Sequence, residues 1–227
     1  MLTRANSIPF LVFLFTGNLC FGQSFDYGIT AIYNSSTQTN TDPTLPEDGT
    51  FQWNYLGTWG AGVYALKDLS SKFATNLSLN FQQKGYKENA QVGYVPGGPV
   101  YDEQLENKFN YLNADLSLQY QLFSGPSIAA DIGLGIEYSY LLNYDLESDF
   151  FPINSFYPVN EYQDKWQNNN LSILPTLSLI FDQATTFQFG FNGSLSPVLK
   201  TENLIVKNWI WTFRLSQSVP AIFKKDD

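Results

Sequence analysis

The side chains that could carry chemistry in this chain are a few ionisable residues on the polar faces of alternating segments. They are Asp26, Asp115, Asp131, Glu137 and Arg214. Carboxylates held close together can act as a general acid and base, or line a path for ions. They can also form an ion-pair network with the arginine, since a buried guanidinium is costly without carboxylate partners. No nucleophile or metal-ligand cluster accompanies these residues, so we favour the structural network.

The chain contains no histidine, and its one cysteine is Cys20. Serine–histidine–aspartate and cysteine–histidine catalytic arrangements are therefore excluded, and the usual zinc and haem ligands are missing. Gly97 and Gly98 lie between two prolines and lack the Gly-Lys-Ser/Thr ending of a phosphate-binding loop. We predict that the protein is not an enzyme and that it holds no cofactor and no metal.

The composition of the chain, which is poor in charged and rich in aromatic residues, indicates which secondary structure positions these side chains. Charged residues make up 15% and aromatic residues 17% of the chain, and the mean hydropathy is −0.18. No run of 18 apolar residues occurs, which argues against a membrane-spanning helix. This composition is typical of strands that alternate between lipid and a polar interior. The net charge of −9 argues against a nucleic-acid partner.

The first residues have the pattern of a secretory signal peptide. Arg4 precedes a short apolar core at residues 8–15, and the small residues Cys20 and Gly22 occupy the −3 and −1 positions of a cleavage site. We predict a signal peptide over residues 1–22. Its removal leaves a chain without cysteine, and therefore without disulfides.

Eight segments alternate between apolar and polar residues with the period of a β-strand, whose successive side chains point to opposite faces. In the clearest segment Leu112 and Leu116 share one face, and Asp115 and Ser117 share the other. Pro175 falls inside the sixth segment, where we expect a bulge or a lost ladder bond. The predicted strands cover about residues 24–33, 58–66, 73–82, 112–121, 128–140, 171–181, 187–194 and 208–216.

Long and short connections alternate between these segments. The long polar stretches lie at about residues 34–57, 85–107, 143–170 and, somewhat shorter, 196–204, and the tight turns at 67–72, 123–126 and 182–185. This alternation predicts an all-β fold, an eight-stranded antiparallel up-and-down transmembrane β-barrel with short periplasmic turns and long extracellular loops. We place the barrel at residues 23–223 and a charged tail at 224–227.

A soluble eight-stranded barrel that binds an apolar ligand is the alternative, because such a barrel holds its oily face inside. The alternation of apolar and polar residues alone does not distinguish the membrane barrel from the soluble barrel. The polar face here is rich in glycine, asparagine, serine and glutamine, and lysine and glutamate are scarce on it, which is unusual for a solvated exterior. Aromatic residues such as Trp59, Phe73 and Phe187 also lie near strand ends, as an interfacial girdle requires. We therefore favour the membrane barrel.

Closing the barrel brings the last strand beside the first. Arg214 and Asp26 both fall on inner faces near the periplasmic ends of these strands. We expect an ion pair between them across the closing seam, or a pair of Arg214 with Asp131 if the strands are staggered.

Two neighbouring segments carry a family resemblance. YLNADLSLQY at residues 111–120 and ADIGLGIEY at residues 130–138 resemble the central hairpin of the PorT-like outer-membrane β-barrel family of Bacteroidetes. In that family a Tyr-Leu-x-x-Pro-Leu-x-Leu-x-Tyr strand precedes a Gly-x-Gly strand that ends in aromatic residues, and Asp115 stands here where the family often has proline. The resemblance implies a small eight-stranded barrel in the outer membrane and brings no catalytic residues.

The third long connection is rich in aromatic residues. Exposed aromatic side chains form contact sites for a protein or glycan partner, and they can also fold back as a plug on the barrel rim; both interpretations stay open. We expect a non-enzymatic barrel in contact with outer-membrane lipid that acts structurally or through its extracellular loops. A narrow passive channel is the further alternative. The aromatic residues of this connection are Phe150, Phe151, Phe156, Tyr157, Tyr162 and Trp166.

Overall fold

The computed structural model describes residues 26–41, 54–93, 100–148, 167–200 and 205–219. Almost all of these residues lie in β-strands, because their alternating sequences suit a pleated backbone with two different faces. The strands are β1 (Asp26–Thr41), β2 (Asn54–Asp68), β3 (Phe73–Gly93), β4 (Val100–Ser124), β5 (Ile128–Ser148), β6 (Asn169–Phe181), β7 (Thr185–Ser194), β8 (Leu199–Lys200) and β9 (Ile205–Ser218).

Eight of these strands form a closed antiparallel barrel. Each of β1 to β6 pairs with its successor, β7 pairs with β9, and β9 pairs with β1, so that the sheet has no free edge around the ring. The two-residue β8 pairs with β9 near the start of that strand. The predicted fold, an eight-stranded antiparallel up-and-down barrel, is confirmed.

The short turns gather at one end of the barrel. β2 and β3 are joined by residues 69–72, and β4 and β5 by residues 125–127. β6 and β7 are joined by residues 182–184, of which Asp182 and Gln183 have positive φ, 49° and 55°. Two consecutive left-handed residues are typical of the tight hairpin turn whose twist matches that of the strands. The three predicted turns are confirmed, and we call this the turn end of the barrel.

The two faces of the barrel differ sharply in polarity. On β4, Leu116 and Leu118 are exposed and point outward, whereas Asp115, Ser117 and Gln119 are buried and point inward. The same sidedness holds around the ring. The outward side chains form an apolar belt that includes Ile29, Val63, Phe81, Leu116, Leu118, Ile132, Leu134, Ile136, Leu177, Leu179, Phe189, Phe213 and Leu215.

The sidedness reverses on the far side of the belt. On β4, Phe109 and Tyr111 are buried inside, whereas Lys108 and Asn110 lie on the outer surface. A strand with water outside must carry its apolar residues inside, as in a soluble barrel. Leu112 therefore marks the boundary between belt and water-facing strand on β4.

On β4 this reversal explains why the predicted connection before the strand was drawn too long. Residues in about 34–57, 85–107 and 143–170 were expected to be loops, but residues 34–41, 54–57, 85–93, 100–107, 143–148 and 169–170 are strand. Where polar residues point outward and apolar residues inward, the pattern is the opposite of that in a lipid-facing strand. The sequence therefore does not indicate that the strand continues. The extensions are the end of β1 to Thr41, the start of β2 from Asn54, the end of β3 to Gly93, the start of β4 from Val100 and the end of β5 to Ser148.

Pro175 lies on the outward face of β6 and is exposed. The ladder between β6 and β7 pairs Ile173 with Gly193 and then Thr176 with Gly190, and the two intervening pairs are missing without a change of register. Because proline has no amide hydrogen to donate, a gap is expected there. The prediction of a lost ladder bond is confirmed.

Three predictions fall outside the described residues: the signal peptide at 1–22, the charged tail at 224–227 and the aromatic set in residues 150–166. They stay predictions. No helix in the described part of the chain is long and apolar enough to cross a membrane.

An ion cluster lies on the outer surface of the strands beyond the belt. Lys87 Nζ is 2.7 Å from Glu106 Oε1, and Lys108 Nζ is 3.1 Å from Glu106 Oε2. The hydrogen bond with Lys87 holds the pKa of the Glu106 carboxyl below its usual value, against a smaller opposing effect of partial burial. A carboxyl with a lowered folded-state pKa contributes stability above its unfolded pKa and loses it as the pH falls through the folded one.

We therefore expect Glu106→Gln to lower the free energy of unfolding by roughly 0.2–1 kcal/mol at neutral pH, the range of partly exposed ion pairs. The difference in unfolding free energy between Glu106→Gln and the unsubstituted protein should shrink as the pH falls below the usual pKa of a glutamate. Urea unfolding across acidic pH measures both. A difference that stays constant with pH would mean that the charge of Glu106 is not the cause.

Candidate functional site

The centre of the barrel holds two carboxylates that the strand register forces together. Asp115 on β4 and Glu137 on β5 are direct register partners, and both point inward. Like charges placed opposite each other across a strand pair are destabilising. Both side chains are almost fully buried, so the pair needs cations from elsewhere in the ring.

The first cation is Lys84 on β3. Its Nζ lies 2.6 Å from Glu137 Oε1 and 3.0 Å from Ser139 Oγ, and its side chain is 2% exposed. The side-chain amide of Asn192 on β7 also donates to Glu137 Oε1. Lys84 Nζ further lies 5.1 Å from the centre of the Tyr111 ring, within the range of a cation–π contact. Lys84 is thus the nearest cation to Glu137, and neutral donors hold the same carboxylate oxygen.

The second cation is Arg214 on β9, which crosses the barrel. Its Nη2 lies 2.7 Å from Asp115 Oδ2 and 3.8 Å from Glu137 Oε2. β9 and β4 are four strands apart in either direction around the ring, so this pair spans the lumen from wall to wall. Ser78 Oγ and Asn80 Nδ2 donate to the same Asp115 oxygen at 2.9 and 3.0 Å. We call Lys84, Asp115, Glu137 and Arg214 the charge network.

The expected pair of Arg214 with Asp26 is wrong, and so is the alternative with Asp131. Arg214 is the register partner of Ile32, six residues along β1 from Asp26, or about 20 Å at the rise of a strand. Asp26 instead accepts a hydrogen bond from Ser218 Oγ at 2.6 Å. Asp131 is buried at the level of Gln121 and Ser178, and neither aspartate forms an ion pair with a described residue. Of the five predicted network residues, the structure thus brings together Asp115, Glu137 and Arg214.

Lys84 is the member of the network that sequence analysis missed. The third predicted strand was ended at residue 82, although Lys84 continues the inward series of Ser78, Asn80 and Gln82. The even residue numbers of this series could have identified Lys84 as an inward residue. The mixed polarity of the residues that follow it made the strand seem to end earlier.

A cluster of apolar and aromatic side chains lies in the interior on the side away from the turns. Tyr86, Phe109 and Tyr111 form a buried cluster, against which Leu141 and Tyr144 pack. The Phe109 and Tyr144 rings are stacked with centroids 4.7 Å apart. We call these five residues the loop-end cluster. Side chains lining a water-filled pore would keep exposed surface, but those of Phe109, Tyr111, Glu137 and Lys84 are almost fully buried.

A cavity of about 320 Å³ occupies the interior on the other side of the network. Arg214 and Ser78 are at its inner end, and Asp26, Asp68 and the β4–β5 and β6–β7 turns surround it at the turn end. Hydroxyl and amide side chains make up most of its wall. We call it the turn-end cavity.

The charge network offers no arrangement for acid–base or nucleophilic chemistry on a bound substrate. Its two carboxylates are matched by two cations, and each carboxylate is held by further hydrogen bonds from neutral side chains. Within the described ranges, no group of three or more acidic, cysteine or histidine side chains could hold a metal ion. The network joins β3, β4, β5 and β9 through side-chain contacts inside the barrel.

No protein-family model matches the chain, and neither does any curated protein. Similar solved structures include the outer membrane protein OprG from Pseudomonas aeruginosa, with 13% identity and a TM-score of 0.44 over 86% of this chain and 93% of that one. The Neisserial surface protein A has 8% identity and a TM-score of 0.40 over 86% and 99% of the two chains. The attachment invasion locus protein Ail of Yersinia pestis has 9% identity and a TM-score of 0.36 over the same shares.

Proposed function

We propose that this chain is a bacterial outer-membrane β-barrel protein that neither conducts solutes nor catalyses a reaction, and that acts structurally or through its extracellular loops. The observation that carries the proposal is the apolar belt on the outside of a closed ring of strands. A soluble barrel would expose this surface to water, whereas lipid covers it without cost.

The height of the belt supports a membrane span. On β4 it runs over the 12 residues from Leu112 to Phe123, one more than the upper end of the 9–11 residues of a tilted transmembrane strand. Beyond the belt the polarity of β4 reverses, as expected where a strand leaves lipid for water. β1 begins and β9 ends at the turn end, so we place the turns in the periplasm and the strand extensions outside the cell.

The closed interior supports a non-conducting barrel. A solute passing from end to end would have to pass the charge network and the loop-end cluster, where Lys84, Glu137, Phe109 and Tyr111 are almost fully buried. Eight strands leave little more than the space that side chains fill. The narrow passive channel is therefore the less favoured function.

The proposal also includes the family of the protein and the class of its partner. We assign the chain to the PorT-like outer-membrane barrels of Bacteroidetes because of the segments at residues 111–120 and 130–138. A protein or glycan that binds the extracellular side is the proposed partner class, and the aromatic residues in 150–166 are its proposed contact surface.

Conductance tests the proposal against the channel alternative. The chain without residues 1–22, refolded and inserted into planar lipid bilayers, should give no stable single-channel steps, whereas a 16-stranded porin treated in parallel should conduct. Insertion is checked by resistance of the barrel to proteolysis. Reproducible conductance from the inserted barrel would overturn the closed-interior interpretation.

A further inference from the structure

An amine, a carboxyl group and a primary amide meet at one point inside the barrel. Lys84 Nζ on β3 lies 2.6 Å from Oε1 of Glu137 on β5, and Nδ2 of Asn192 on β7 lies 2.5 Å from the same oxygen. Each of the three residues is 1% exposed. β3 and β7 are four strands apart in either direction around the ring, so the lysine and the asparagine come from opposite walls.

Apolar side chains border this point. The ring centre of Tyr111 is 5.1 Å from Lys84 Nζ, and Ile210, the register partner of Asn192 on β9, is 1% exposed. Charges are costly in such surroundings, which favours transfer of a proton from the ammonium group to the carboxylate over their hydrogen bond. The product of that transfer is a free lysine amine, and a desolvated lysine amine is a nucleophile.

The amide of Asn192 is held loosely enough to turn toward this amine. Its Oδ1 has no hydrogen-bond partner in the described part of the chain, so no bond at the oxygen has to break. The gap that Pro175 causes in the β6–β7 ladder includes Asn192, whose backbone pairs with β9 alone among the described strands. A small shift therefore brings the amide carbon to the lysine nitrogen.

We propose that Lys84 and Asn192 join in an intramolecular isopeptide bond and that Glu137 moves the protons. The Lys84 ammonium group gives one proton to Glu137, and the free amine attacks Cγ of Asn192. Glu137 then gives its proton to the leaving nitrogen and takes a second proton from the attacking one. The Nζ–Cγ bond forms, the Cγ–Nδ2 bond breaks, and ammonia leaves. The step needs no oxidant, reductant or co-reactant.

The charges of the interior stay matched through this reaction. Lys84 loses its positive charge when it becomes an amide, and Glu137 loses its negative charge because it keeps one proton. Arg214 remains paired with Asp115, whose Oδ2 lies 2.7 Å from its Nη2. The new bond ties two opposite walls of the barrel and closes a long loop of the chain, as a disulfide does in proteins that have cysteine.

Tryptic digestion and tandem mass spectrometry test the bond. The chain without residues 1–22 is refolded in lipid vesicles, denatured and digested. Trypsin does not cut after an acylated lysine, so residues 73–87 and 166–200 should appear as one linked product, lighter than the two peptides by one ammonia. The linked product decides, and not the intact mass, because an N-terminal Gln23 also loses ammonia when it cyclises.

Three variants assign the roles. Glu137→Gln removes the group that moves the protons, and Asn192→Leu removes the amide, so neither should give the linked product. Asn170→Ser is the matched control. Asn170 is another buried asparagine, but it donates to the backbone oxygen of Ser196, and its loss should leave the yield of linked product unchanged. The mobility of unboiled protein on a denaturing gel shows which variants fold.

The folded, unsubstituted barrel is decisive by itself, whether or not the variants fold. If it yields the peptides 73–84 and 166–200 unlinked after prolonged incubation, the proposal is wrong. A linked product in Glu137→Gln would contradict the role of that carboxyl group. A loss in Asn170→Ser as large as in Asn192→Leu would contradict the choice of amide. A linked product from a chain kept unfolded in urea would show that the barrel geometry is not its cause.

Discussion

Arg214→Met is expected to lower the free energy of unfolding of the barrel by about 3–5 kcal/mol, the cost of leaving a buried charge without its partner. Arg214 is the cation that reaches Asp115 across the lumen, and Asp115 lies directly opposite Glu137. Removing the guanidinium leaves these two carboxylates with Lys84 as their one remaining cation in the network. Urea titration of the barrel in lipid vesicles measures the loss.

A double-mutant cycle decides whether Asp115 is the partner. Adding Asp115→Asn to Arg214→Met should recover part of the loss, since the stranded carboxylate is then neutral, with a coupling of roughly 0.5–3 kcal/mol. Asp26→Asn serves as the matched control, and its effect should simply add to that of Arg214→Met. Additive effects with Asp115, or coupling with Asp26, would contradict the arrangement of the charge network.

Leu118→Arg should have the second large effect. Leu118 is 49% exposed in the middle of the apolar belt of β4, where an outward arginine costs roughly 2–4 kcal/mol in lipid. The adjacent residue, Gln119, points inward and lines the turn-end cavity. Gln119→Arg therefore places the same side chain in a polar space with carboxylates nearby, and should fold far better.

The yield of folded barrel in lipid vesicles compares the two arginine variants on one strand. Leu118→Ala controls for the loss of the leucine itself. Equal folding of Leu118→Arg and Gln119→Arg in lipid would mean that the belt does not face the membrane.

The strands within the belt could be predicted from the sequence because lipid and the barrel interior impose opposite demands on neighbouring residues. Leu116, Ser117 and Leu118 each have the side that their type requires. The strand extensions could not be predicted in the same way. Beyond Leu112, the apolar residues Tyr111 and Phe109 point inward. A prediction that follows one continuous outward apolar face therefore ends the strand at Leu112.

The charge network was partly predictable for a related reason. Parity along each strand identifies inward residues, and it placed Asp115, Glu137 and Arg214 inside the barrel. It does not give the stagger between distant strands, which decides which inward charges meet. The long side chain of Arg214 reaches a strand on the opposite wall, so adjacency in the ring was a poor guide to its partner.

The mobility of the unboiled protein on a denaturing gel tests the central claim, a closed barrel built for lipid. The chain without residues 1–22 should require detergent or lipid to fold, and its unboiled form should migrate differently from its boiled form, because a closed ladder without edges resists the detergent. Identical mobility before and after boiling, together with a folded state soluble in plain buffer, would contradict the account.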